Sequence, residues 1–248
     1  QPVLISQPDR LGLLALLSLF TLGFARLLTY LSLQTTLVPT SSLIYLVPHA
    51  FAVLMAAILI NGGAALALGF WCSFATAVYF DQSFSVFVLG MFTTVTATTA
   101  ARNVHRRSSL YKAGLWIAGV NILFACIIAI FNQPSLIILA EQLISALVSA
   151  ALATILTLLF IPLFEKCFRI TTDITLLELS DMGHPLLQKM AIQAPGTYHH
   201  SLMVATLAQN AAETIGANSL MVRVCAYYHD IGKMAKPEFF SENIQSGN

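Results

Sequence analysis

Six stretches of this chain, at about residues 11–33, 43–60, 63–80, 84–101, 113–131 and 136–163, are almost wholly apolar. Each is close to, or longer than, the roughly 20 residues that a helix needs to cross the hydrocarbon core of a bilayer. In that medium every backbone polar group must be bonded within the protein, so segments of this length span as helices. The breaks between them carry turn chemistry: Pro39, Thr40, Ser41 and Ser42; Asn61, Gly62 and Gly63; Asp81, Gln82 and Ser83; Asn132, Gln133, Pro134 and Ser135. Of the 248 residues, 57% are hydrophobic and 9% are charged, with mean hydropathy +0.79. An average soluble domain has roughly 25% charged residues, so the composition excludes a soluble globule. A net charge of +1 offers no surface for a nucleic-acid polymer.

The charge is divided unevenly. Residues 1–164 hold six basic and three acidic side chains, and residues 165–248 hold six and eight. The second part has an ordinary soluble composition. The sequence thus divides into a transmembrane region (1–164), a connector (165–183) and a small all-helical segment (184–248). The most basic loop, residues 102–112, contains Arg102, His105, Arg106, Arg107 and Lys112. Basic loops stay in the cytoplasm. This puts Asn132 and Asp81 outside, Asn61 inside, and both termini in the cytoplasm. The first apolar run is too long for a cleavable signal and lacks its small-residue cleavage pattern. Cys72, Cys126, Cys167 and Cys225 have no zinc-motif spacing and read as lone thiols.

Some residues within the spans are polar, notably Arg26, His49 and Glu141. Charges in a membrane usually face a bundle interior or a cavity, where they can mark a ligand site. Their simpler reading is snorkelling or interhelical hydrogen bonding. They are too few for an ion path, which counts against a transporter.

Beyond Arg169 the pattern becomes that of soluble helices. Thr171, Thr172 and Asp173 offer caps before a short amphipathic piece, Leu176 to Leu179. Gly183-His184-Pro185 reads as a helix start with Pro at the first position, running to about Ile192 and stopped by Ala194-Pro195-Gly196. A second helix is expected from Thr197 or Tyr198 to about Thr214, capped by Gly216. A third, capped by Asn218 and Ser219, is expected over about 220–231, ending near Gly232, with a loop over 236–248.

Reactive side chains crowd into two places: Gly196-Thr197-Tyr198-His199-His200-Ser201, and Ala226-Tyr227-Tyr228-His229-Asp230-Ile231-Gly232-Lys233. Imidazole beside carboxylate is a partial ligand set for a divalent metal. His200 falls with Val204, Leu207 and Ala211 at i, i+4, i+7 and i+11, a stripe expected to face inward. If the second and third helices are antiparallel, His200, His229 and Asp230 converge. Taken singly, each residue has a plainer reading: a structural His-Asp dipeptide, a core histidine at 200, a cap at His184, a helix-dipole partner at Lys233. Together, they are hard to explain by packing.

These runs, with His184-Pro185-Leu186-Leu187 and Pro237-Glu238-Phe239-Phe240, resemble the HD-domain phosphohydrolases, specifically the bacterial branch with a seven-helix membrane region before a cytoplasmic HD domain. Leu176 to Asp181 and the 106–115 stretch resemble it too. The resemblance implies an all-α architecture: a polytopic bundle, six spans seen here, followed by the first helices of an HD domain. It implies a multi-pass protein of the bacterial inner membrane with a cytoplasmic C-terminal domain. It also implies a phosphodiesterase that uses two divalent transition metals, manganese or iron, to hydrolyse cyclic di-AMP to pApA. His200, His229 and Asp230 then fall on metal ligands, Asp230 on the catalytic bridging carboxylate, Lys233 near the phosphate, and His199 at the substrate or as the lesser choice of ligand. The implied partners are a cyclic dinucleotide and the lipid bilayer, with no nucleic-acid polymer; homo-oligomerisation is left open. Against that pattern an extracellular domain, a first membrane helix and the later HD ligands are missing, so the sequence reads as a fragment. Three or four ligands are present where a two-metal site needs about six, so as written it should bind metal weakly and turn over little. The rival readings are an HD hydrolase of another phosphate ester, and a non-catalytic membrane receptor or scaffold.

Overall fold

A computed structural model describes residues 8–35, 39–81, 83–102, 104 and 107–244 of the chain. Asn103, His105 and Arg106 of the basic loop, Gln82, and Gly247 lie outside the described residues. The chain separates into two compact units, Gln1–Ile170 and Thr171–Asn248. Among the described residues it is helical throughout, with no strand.

The first unit is an all-α membrane bundle of six spans: α1 (Pro8–Gln34), a broken second span, α4 (Gly62–Tyr79), α5 (Phe84–Ala101), α6 (Arg107–Asn132) and α7 (Leu136–Phe168). The broken span comprises a 3-10 turn (Thr40–Ser42), α2 (Leu43–Leu46) and α3 (His49–Leu59). It is the axis of the bundle: His49, Leu59 and every residue from Ala50 to Ala56 are buried. Asn61 caps α4, accepting from the Ala64 N–H at 2.9 Å, so the two glycines after it begin a helix instead of forming a turn.

Pro48 breaks the second span because it has no N–H and its ring blocks the preceding turn. The Val47 carbonyl, which lies between the two helices at the break, accepts from the His49 N–H at 2.8 Å and from Ser149 Oγ on α7 at 3.0 Å. A neighbouring helix thereby satisfies a backbone group that lipid could not. One end of the same span is tied to α7 as well. Ser41 Oγ donates to Glu141 Oε2 at 3.2 Å, so Glu141 has the interhelical role its simple reading assigned.

Elsewhere the helices approach through small residues, as membrane interfaces do. Thr94 occupies the space a side chain at Gly69 would need, Ser73 that of Gly90, and Thr154 that of Gly114. Thr93 Oγ1 donates to Asn121 Oδ1 at 2.7 Å within the bundle. His49 departs from its simple reading: it is 4% exposed, and neither ring nitrogen has a hydrogen-bond partner.

The second unit contains α8 (Asp173–Leu179), α9 (Pro185–Gln193), α10 (Pro195–Thr214) and α11 (Ser219–Tyr228), followed by 3-10 turns at Ile231–Ala235, Pro237–Phe239 and Ser241–Asn243. The caps fall where the sequence suggests. His184 Nδ1 accepts from the Leu186 N–H at 3.3 Å, Asn218 Oδ1 accepts from the Met221 N–H at 2.9 Å, and Gly216 follows α10 at φ +68°. Leu187, Met190, Ala194, Ala205, Ala226 and Tyr227 form the core.

Three expectations are corrected. α9 ends at Gln193, just before Ala194-Pro195-Gly196 as the sequence suggests, but Pro195 and Gly196 already form the first turn of α10, ahead of the start expected at Thr197 or Tyr198. The inward face of α10 carries Thr197, Ser201, Ala205 and Ala212, while Leu207 and Ala211 are exposed and His200 lies at the rim. Small residues win the inward face because α11 packs closely along α10, leaving no room for the larger Leu207. Finally, α11 ends at Tyr228, so His229 and Asp230 stand on the turn that follows it.

Candidate metal centre

His200 precedes the buried Ser201 by one residue, about 100° around α10. Its ring therefore points along the rim of the α10–α11 interface. α11 runs antiparallel, so its C-terminal end, with His229 and Asp230, meets the first turns of α10. One ligand atom from each of His200, His229 and Asp230 lies within 4.8 Å of the others. His200 Nε2 is 3.8 Å, and His229 Nε2 is 3.2 Å, from Asp230 Oδ2. The two rings are tilted, with centroids 5.5 Å apart. Asp230 is the most covered of the three, at 23% side-chain exposure against 49% for His200 and 37% for His229. The cluster is thus open to solvent from the histidine side.

The orientation of His229 is fixed locally. Its Nδ1 lies 2.7 Å from the carbonyl of Ala226, on its own helix. A carbonyl can only accept, so Nδ1 carries the hydrogen, and the neutral ring leaves a lone pair on Nε2. That lone pair faces a carboxylate oxygen. Two acceptors 3.2 Å apart are mutually repulsive unless a cation or a further proton lies between them.

Lys233 supplies one cation. Its Nζ is 2.9 Å from Asp230 Oδ2 and 2.7 Å from Glu242 Oε1. The Glu242 bond, and then the Asp230 bond, raise the Lys233 pKa above its ordinary value. The same lysine lowers the Glu242 pKa. Gly232, between aspartate and lysine, meets nothing that a side chain would disturb, and no close approach depends on it.

His199 is not part of this cluster. It is exposed, with its ring edge toward Tyr198 at a centroid distance of 5.8 Å. Sequence reasoning also missed two contributors, Asn243 and Glu242. Asn243 Oδ1 accepts from the Thr197 N–H at 2.9 Å, and its Nδ2 donates to Thr197 Oγ1 at 2.9 Å. Glu242 pairs with Lys233, and its backbone carbonyl lies against Gly196 where any Cβ would overlap it. Glu242 and Asn243 therefore brace the turn of α10 that leads to His200. The Gly-Thr pair in Gly196-Thr197-Tyr198-His199-His200 was the available signal, but nothing in the sequence names its partners.

An antiparallel helix pair presenting histidines and aspartate, in a chain that also carries a six-span helical bundle, defines a class: a multi-pass membrane protein with an HD-type segment. The chain belongs to the family described as 7TM receptor with intracellular HD hydrolase, whose model matches residues 3–172, and an HD domain model matches residues 197–247. It is 36% identical over 213 residues to the cyclic-di-AMP phosphodiesterase PgpH of Listeria monocytogenes, covering 84% of this chain and 29% of that protein. It is 32% identical over 207 residues to the Bacillus subtilis protein of the same name, covering 80% and 29%. An uncharacterized Synechocystis protein is 46% identical over 86 residues, 35% of this chain and 11% of that protein. The chain thus spans 29% of the length of the two PgpH proteins. No solved structure matches it.

Proposed function

We propose that this chain is part of a membrane-anchored, metal-dependent phosphodiesterase that hydrolyses cyclic di-AMP to pApA. The observation that carries the reading is the His229 lone pair, held by the Ala226 carbonyl toward Asp230 with His200 alongside. Two imidazoles and a carboxylate suit manganese, iron or zinc, so the donor set fits a divalent transition metal. Similarity to two cyclic-di-AMP phosphodiesterases supports the substrate. The proposed domain limits are 1–164 for the membrane region, 165–183 for the connector and 184–248 for the HD segment. The bundle sits in the bacterial inner membrane, oriented by its basic loop, with the HD segment in the cytoplasm.

His200, His229 and Asp230 would hold the metal, with Asp230 as the catalytic carboxylate of the set. When bound, divalent ions supply Lewis-acid polarisation of the phosphodiester and activation of water. Hydrolysis adds water across one P–O bond, opening the ring to a linear dinucleotide. Lys233 contributes a compact positive charge to the phosphate, and Asp230 and Glu242 hold its ammonium in place until substrate arrives. His199, exposed on the same turn, is offered to the substrate.

The test uses the full-length natural protein, with metal content and cyclic di-AMP turnover measured together. His200→Ala, His229→Ala and Asp230→Ala should each lose bound metal and hydrolysis while membrane insertion persists. Unchanged metal content and turnover in all three would sink the reading and favour a membrane receptor. Intact metal sites that spare cyclic di-AMP but cleave another phosphate ester would correct the substrate alone.

A further inference from the structure

Arg26 stands apart from the polar groups that stitch the bundle together. It lies eight residues before Gln34, about 12 Å below that end of α1 at roughly 1.5 Å per residue. It is exposed on the surface of the bundle, and among the described residues no carboxylate lies within ion-pairing distance. Its neighbour across the helix pair is Tyr79, the last residue of α4. A cation at this depth is costly without an anion or a route to water.

The surroundings supply a shape. Arg26 opens into a groove of about 650 Å³ between α1 and α4, whose lining includes Leu19, Gly23, Trp71, Phe74 and Tyr79. That volume lies within the roughly 300–1,000 Å³ typical of ligand sites. α1 and α4 run in the same direction, since one intervening span separates them. The groove is therefore polar at one end, where Arg26 and Tyr79 meet, and apolar toward Leu19 and Trp71. From Trp71 to Tyr79 the climb is eight residues, again about 12 Å. Leu19, Trp71 and Phe74 are each more than half exposed, so this apolar wall faces the lipid side. Gly23 has no neighbour within 4 Å of a built side chain, so the floor of the groove is open at its midpoint.

We propose that this groove binds one anionic phospholipid, its phosphate headgroup on Arg26 and the Tyr79 hydroxyl and an acyl chain lying past Gly23 toward Trp71. Charge complementarity selects the headgroup: the groove offers a guanidinium, a hydroxyl and otherwise apolar surface, so a zwitterionic lipid brings a second charge that finds no partner there. The inference is independent of the hydrolase reading.

The experiment places the full-length protein in phosphatidylcholine vesicles. These are doped with equal amounts of phosphatidylglycerol or phosphatidylcholine bearing the same photoreactive acyl chain, and the labelled peptides are read by mass spectrometry. Phosphatidylglycerol should label α1 and α4 about tenfold more than phosphatidylcholine, the effect of one charge-assisted contact. Arg26→Gln should abolish the preference, Arg26→Lys should keep most of it, and Gly23→Leu should block labelling by both lipids. The Lys variant retains the charge, so its behaviour separates loss of a site from loss of the fold. Equal labelling by the two lipids, or an unchanged preference in Arg26→Gln, overturns the proposal. Crosslinks joining the groove to protein, whether a second copy or another segment of the same chain, overturn it too.

Discussion

Replacing Gly196 by alanine separates two physical expectations of opposite sign. Gly196 is the second residue of α10, and a glycine in a helix costs up to about 1 kcal/mol relative to alanine. Helix propensity alone therefore predicts that Gly196→Ala stabilises. The structure predicts the reverse, because the new Cβ would overlap the Glu242 backbone carbonyl, which has no rotamer by which to swing aside. Residues 241–243 must lift away, and two bonds between Asn243 and Thr197, each 2.9 Å, go with them. At roughly 0.5–1.5 kcal/mol net per bond the loss is about 2 kcal/mol, a shift of about 30-fold in the opening equilibrium. Glu242 also leaves Lys233, whose pKa should fall back toward its ordinary value, with Asp230 its remaining carboxylate. Hydrogen exchange at the Thr197 amide reads the opening directly, and limited proteolysis near residue 240 reads it independently. Exchange in Gly196→Ala equal to or slower than in the parent would refute the claim that Glu242 and Asn243 brace this turn.

The remaining predictions concern single contacts. Ser149→Ala removes a buried donor to the Val47 carbonyl and should cost about 0.6–2 kcal/mol, measured as lowered resistance to unfolding in mixed micelles. Gly69→Val puts a branched side chain where Thr94 sits and should cost about 1–3 kcal/mol in the same assay, with Gly119→Val, in open space, as the harmless control. Lys233 holds the Glu242 carboxyl below its ordinary value of 4.5, so that stabilisation is complete above pH 4.5 and fades as pH falls through the lower folded value. The raised Lys233 acts oppositely, complete below 10.5 and lost as pH rises through its folded value. Exchange protection at Thr197 should therefore weaken on acidification below 4.5, and Glu242→Gln should remove that dependence.

The bundle was the most legible part of the sequence because length and hydropathy suffice: a span of some 20 apolar residues has one way to satisfy its backbone. Helix starts in the second unit were legible for a related reason, since capping is local chemistry, and His184-Pro185 and Asn218-Ser219 act within a few residues of themselves. The inward face of α10 was not. Apolar residues lie on two of its faces, and periodicity alone cannot distinguish Val204, Leu207 and Ala211 from Ser201, Ala205 and Ala212. What decides is how near α11 comes, a tertiary quantity. Glu242 and Asn243 were illegible because they act on Thr197 across some 45 residues through a segment with no periodic pattern. The break in the second span was illegible in its consequence: only the fold shows that the Val47 carbonyl beside Pro48 is met by Ser149, about 100 residues on.

The convergence of His200, His229 and Asp230 survived an error about the face of α10, and the reason is geometric. A histidine aimed squarely into the interface would have been buried among Ala205, Ala226 and Tyr227, where burying a charged or metal-bound ring is costly. One residue earlier, at the rim, the ring keeps half its surface in solvent and still reaches the turn after α11. His229 gains the same position from the opposite direction, by falling one residue past the last turn of its helix, where the Ala226 carbonyl is free to hold its Nδ1. The site is built from helix ends because only there are backbone carbonyls unpaired, side chains half-wet and two antiparallel elements in register. A single-residue insertion between Tyr228 and His229 would rotate the lone pair away from Asp230 while leaving the core intact.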